Sequence, residues 1–138
     1  MSGKNYMRLL VVHCVMPLFA GAIVYILFRR VNPLYAFVPS IKPMPIGNAW
    51  LQYFVDVFPD FCWSYSLAFA LYLYGFYYKL PFPYMVLTVF SLLVFSEWVQ
   101  RYFPRHFTFD IYDLLAAVFA FILSTLQISK IAYEKRVW

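Results

Sequence analysis

Leu9 to Phe28 runs for 20 residues without a formal charge, between Arg8 and the pair Arg29-Arg30. No other feature constrains the chain as much, because a bilayer core takes about 20 apolar residues to cross as a helix. Three more runs follow. Phe61 to Tyr78 gives 18 residues between Asp60 and Lys79, Leu80 to Ser96 gives 17 before Glu97, and Leu114 to Ser129 gives 16 before Lys130. The last two each gain a turn at their charged end. Composition agrees: 64% of residues are hydrophobic and 12% charged, against about 45–50% and about 25% in soluble domains. The expected fold is all-α, an integral membrane bundle of four transmembrane helices in one domain over 1–138. Its spans fall at about 9–28, 61–78, 81–100 and 111–129. The expected location is the plasma or inner membrane of the cell, as a multi-pass protein.

Lys4 and Arg8 ahead of an apolar run mimic a signal peptide. The run is long, and no small-x-small cleavage site precedes Arg29, so it reads as a retained first span. Val31 to Pro59 is the one long connection. It holds five of the nine prolines, Pro33, Pro39, Pro43, Pro45 and Pro59, and proline lacks the amide hydrogen that continues a helix. The first connection is therefore expected to be irregular. After Gly47-Asn48, Trp50, Leu51, Phe54, Val55 and Phe58 recur at helical spacing, with Gln52 and Asp56 off that stripe. This fits a short helix in the membrane interface or a core-packed turn. Lys79-Leu80-Pro81-Phe82-Pro83 reads as a tight second connection.

Four spans put Lys4, Arg8, Lys79, Lys130, Lys135 and Arg136 on one side and Arg29, Arg30, Lys42, Arg101 and Arg105 on the other. Six against five leans, by the positive-inside rule, toward both termini in the cytoplasm. Five of the six acids, Asp56, Asp60, Glu97, Asp110 and Asp113, then face outward. The net charge of +5 suits anionic headgroups. No groove motif of interleaved basic and aromatic residues points to nucleic acid.

The charges concentrate in FSEWVQRYFPRHFTFDIYD, Phe95 to Asp113. Glu97, Gln100 and Arg101 share a helix face at i, i+3 and i+4. Pro104 then ends the helix, Arg105 and His106 lie in the connection, and Asp110 and Asp113 open the fourth span. One account is helix-end electrostatics: Asp110 as N-cap, Asp113 at N3, and Glu97–Arg101 as an ion pair. The other is a site. Two helix ends joined by a short connection are neighbours, and charges beside a bilayer are costly unless paired. Asp60, Glu97, Gln100, Arg101, Arg105, Asp110 and Asp113 would form a mixed-charge cluster. Its arginines would offer a bidentate fork to a phosphate-bearing or zwitterionic headgroup. A carboxylate raised in pKa by burial, Glu97 or Asp113, would be a general base.

Glu97-x-x-Gln100, a Pro/Arg connection, then Thr108-Phe109-Asp110-x-x-Asp113-Leu114 resembles the VanZ-like family of small membrane proteins, named for a teicoplanin-resistance protein. The resemblance covers Ser91 to about Leu123 and is weaker at Pro59-Asp60. It departs at Phe107, where the family often has Arg, and at Ala117 and Phe121, where it often has Asn and Gly. Trp63 and Ser64 stand where a family His often lies. The resemblance implies an envelope protein acting in antibiotic resistance or envelope maintenance.

The remaining chemistry-bearing residues read as structural. His13 and Cys14 are adjacent and diverge by about 100° on a helix, so no metal site is expected. Cys14 and Cys62 read as small buried hydrophobes. No glycine-rich phosphate loop or nucleophile elbow is visible, and no cofactor is expected. Three functions fit: binding of a lipid headgroup, cell-wall precursor or amphipathic antibiotic; an enzyme on a lipid-linked substrate; or a structural subunit with a membrane-protein or homo-oligomeric partner.

Overall fold

The computed structural model describes residues 3–28, 44–100 and 111–135. All secondary structure among them is helical. Helix α1 (Gly3–Leu10), a π-helical turn (Val11–Val15) and α2 (Met16–Phe28) follow one another without a break. The Met16 N–H reaches back five residues to the Val11 carbonyl. Pro17 supplies the physical reason: it has no amide hydrogen, and in a regular α-turn its ring would press on the His13 carbonyl. A widened preceding turn relieves that pressure.

Helix α3 (Ala49–Tyr77) is 29 residues long and contains Pro59. The irregular first connection therefore ends sooner than Pro59. The apolar stripe from Trp50 to Phe58 is neither a separate interfacial helix nor a turn. It forms the opening turns of α3, capped by the Asn48 side chain, which accepts from the Trp50 amide at 2.9 Å. Residues 29–43 lie outside the described part. Pro59 is buried against Gly21 of α2, and neighbour packing of this kind lets a long helix tolerate a proline.

Helices α4 (Phe82–Gln100) and α5 (Ile111–Lys135) complete the fold. The α3–α4 turn closes as a Schellman motif. Lys79 takes φ 55°, the Leu80 amide donates to the Gly75 carbonyl at 2.9 Å, and the Lys79 amide donates to Phe76 at 3.2 Å. Such a turn satisfies carbonyls that a helix end leaves bare.

Cross-helix contacts set the directions. Tyr6 meets Tyr77, and His13 meets Tyr65 and Phe69. Gly21 meets Cys62, so the first helix runs antiparallel to α3. Tyr53 meets Tyr112, Phe61 meets Phe119, and Tyr72 meets Thr125, so α5 runs parallel to α3. The tight turn reverses α4. The result is an up-down-up-down arrangement with α3 at its centre. One end holds the starts of α3 and α5 and the last turn of α4. The other holds the start of α1, the tight turn and the end of α5.

The interior is built from Phe69, Tyr72 and Leu73 of α3, Met85, Val89 and Leu93 of α4, and Ala116, Ala120, Ser124 and Ile128 of α5. The α5 set recurs every four residues and is mostly small, which lets backbones approach closely. Large apolar side chains point the other way: Phe19, Leu87, Leu115 and Leu126 are each more than half exposed.

Two helices are long and apolar enough to cross a membrane, Asn5–Phe28 and Ile111–Tyr133. These contain the first and fourth expected spans. The third is a shorter apolar stretch, Phe82–Ser96. The second, 61–78, lies in α3, which tyrosines and serines make less apolar than its central position implies.

Candidate functional site

Gln52, Asp56 and Asp60 recur every four residues along α3, so they form one polar stripe down its opening turns. The Gln52 side-chain amide donates to both carboxylate oxygens of Asp56, at 3.0 and 3.1 Å. One turn deeper, Asp60 is half-buried and its Oδ2 is closed off from solvent. Ile46, Gly47, Ala49, Gln52, Tyr53 and Asp56 line an open cavity of about 510 Å3. Tyr53, in its wall, packs edge-on against Tyr112 at 5.9 Å between ring centres. That contact ties the cavity to the first turn of α5, where Asp113 lies half-buried.

Asp113 sits where α5 leaves its first amide hydrogens unbonded, a position that favours negative charge. The backbone places Glu97 and Gln100 in the closing turns of α4, at the same end of the bundle; of their side chains nothing is described. Arg101, Arg105 and Asp110 lie outside the described residues. Asp60 and Asp113 are thus the two predicted site residues whose side chains are described.

Sequence reasoning placed Gln52 and Asp56 off the apolar stripe and assigned them no role at the site. The signal was present: Gln52, Asp56 and Asp60 keep a four-residue step. It was hidden because Pro59 was read as ending a connection, which put Asp56 and Asp60 on different elements. Through one continuous helix they share a face.

At the opposite end the described polar residues are of another kind. His13 Nδ1 lies 2.8 Å from the Tyr65 hydroxyl, and its ring stacks on Phe69 at 4.2 Å with 14° between planes. This is the hydrogen-bonded structural histidine expected from the sequence. Among the described residues, no three His, Cys, Asp or Glu side chains gather closely enough to hold a metal ion. Cys14 and Cys62 are free thiols, half-buried and buried.

The chemistry on offer at the acidic end is hydrogen-bond acceptance and negative charge. The Asp56 carboxylate and the Gln52 carbonyl face a cavity large enough for a headgroup or a small sugar. Compared with protein families, curated proteins and solved structures, the chain finds no match.

Proposed function

We propose that the chain is a four-span membrane protein of VanZ-like type. It binds a lipid headgroup, a cell-wall precursor or an amphipathic antibiotic at an outward-facing cluster, and so contributes to envelope maintenance or resistance. The observation that carries the reading is the polar stripe Gln52-Asp56-Asp60, which lines a cavity tied by Tyr53 and Tyr112 to the helix opened by Asp113. Asp56, Asp60 and Asp113 accept donors on the ligand, while Arg101 and Arg105 hold its anionic group. Glu97 and Gln100 contribute further acceptors from the end of α4.

Membrane insertion of all four helices is supported by the inverted packing. Ala116, Ala120 and Ser124 are buried, while Phe19, Leu87 and Leu126 are exposed. Water makes that arrangement costly and lipid does not. Helix α3 crosses surrounded by its neighbours, which is why it tolerates tyrosine and serine.

The test is expression of the protein in a teicoplanin-susceptible bacterium, with Asp56→Asn, Asp60→Asn and Asp113→Asn as variants. The expected result is a higher inhibitory concentration of teicoplanin, lost in all three variants at equal membrane abundance. Wild-type protein that changes neither susceptibility nor retention of envelope lipids in detergent defeats the reading. So do Asp variants that behave as wild type. Reporter fusions after Gly47 and after Lys135 check the topology: the first should report outside and the second inside.

A further inference from the structure

The first and last helices leave a groove between them at the end away from the acids. Asn5, Arg8, Leu9, Val12 and His13 line one wall, and Gln127, Lys130 and Ile131 the other, around about 370 Å3. Each wall has helical spacing, so each is one continuous face. Arg8 and Lys130 are exposed and come from opposite ends of the sequence. No carboxylate lines the groove among the described residues. In sequence, Glu134 is the one acid on this end's side, one turn beyond Lys130.

We propose that this groove is a binding site for the headgroup of an anionic phospholipid. The inference rests on the membrane part of the reading above but concerns the other face of the bilayer. Two cations converging beside a low-dielectric slab call for an anion, and basic pockets between membrane helices take anionic headgroups. Arg8 and Lys130 hold the phosphate, Arg by its planar fork and Lys as a point charge. The amides of Asn5 and Gln127 donate to phosphate or glycerol oxygens. Leu9, Val12 and Ile131 continue the walls in apolar character, which suits the start of an acyl chain and not a free ion. His13, held by Tyr65 and Phe69, closes the inner wall.

The experiment is native mass spectrometry of the full chain released from vesicles of equal phosphatidylglycerol and phosphatidylcholine. Arg8→Gln/Lys130→Gln removes both charges. Val12→Trp fills the groove and leaves the charge unchanged. Lys79→Gln removes a charge from the same end but outside the groove. Wild type should retain phosphatidylglycerol preferentially. Each groove cation is expected to contribute roughly fivefold, so the double variant should lose about thirtyfold of that preference. Val12→Trp should lose most of it, and Lys79→Gln should keep it.

No preference in wild type overturns the proposal. So does a preference that survives Val12→Trp, or one that falls equally in Lys79→Gln, because either marks general surface charge. Displacement of the lipid by millimolar inorganic phosphate overturns it in favour of a free anion. Failure here leaves the Asp56, Asp60 and Asp113 phenotypes untouched, and failure of those leaves this lipid preference untouched.

Discussion

Gly21→Ala tests how closely α2 and α3 approach. A Cβ at Gly21 lies 2.8 Å from the Cys62 Cβ and 3.4 Å from both the Cα and the carbonyl oxygen of Pro59. Ordinary contact begins at 3.4 Å, so the helices must part locally by about 0.6 Å, the difference between 3.4 and 2.8. Cys62 cannot relieve the contact by changing rotamer, because its Cβ is fixed to the α3 backbone. Overpacking of this kind costs about 1–3 kcal/mol. Alanine returns up to about 1 kcal/mol in helix propensity over glycine. The clash wins, and the expected net loss is roughly 1–2 kcal/mol. Thermal unfolding in detergent, followed by tryptophan fluorescence, should show a Tm lower by several degrees. Gly47→Ala, where nothing lies within 4 Å, should leave Tm nearly unchanged. Adding Cys62→Gly to Gly21→Ala removes the opposing Cβ, so the double variant should lose less than the two single losses combined. A Gly21→Ala protein as stable as wild type, or more so, would refute the reasoning.

Other consequences can be read from the same melts. Lys79→Gly should stabilise by up to about 1 kcal/mol, because Lys79 holds φ 55°, a conformation that costs a residue with a Cβ about that much and glycine almost nothing; a lower Tm would contradict it. Thr125→Val should cost more than Tyr72→Phe. The Thr125 hydroxyl donates to the Phe121 carbonyl at 2.7 Å and stands 2.7 Å from the Tyr72 hydroxyl. Losing Thr125 strands a buried phenol at about 1–3 kcal/mol, while losing the phenol leaves Thr125 bonded, at about 0.5–1.5 kcal/mol. The reverse order would show that the two hydroxyls do not form the chain described. Asn48→Ala removes the cap that accepts from Trp50 and should cost about 1 kcal/mol, seen as faster amide exchange at Trp50 and Leu51.

Four helical segments, their approximate limits at 9–28 and 111–129, and the tight turn at Lys79–Pro83 were legible in the sequence. Uncharged runs and prolines act locally, so a window of 20 residues suffices to read them. The α3 start at Ala49 was not legible in that way. Pro59 looks like a boundary when its own missing hydrogen bond is weighed alone. It becomes helix interior only because Gly21, 38 positions earlier, makes room for it. The same misreading hid the Gln52-Asp56-Asp60 stripe, since a shared face exists only once the helix is known to be continuous.

The sequence by itself determined that this chain is helical, that its side chains suit lipid, and that its acids cluster apart from most of its terminal cations. Those properties follow from composition and spacing, which each residue carries wherever it is placed. Only the tertiary structure decided which acids share a cavity and that Arg8 and Lys130, 122 positions apart, face one groove. Convergence of that kind depends on helix direction and on how closely glycine and alanine let backbones approach, quantities that arise between elements and not within them.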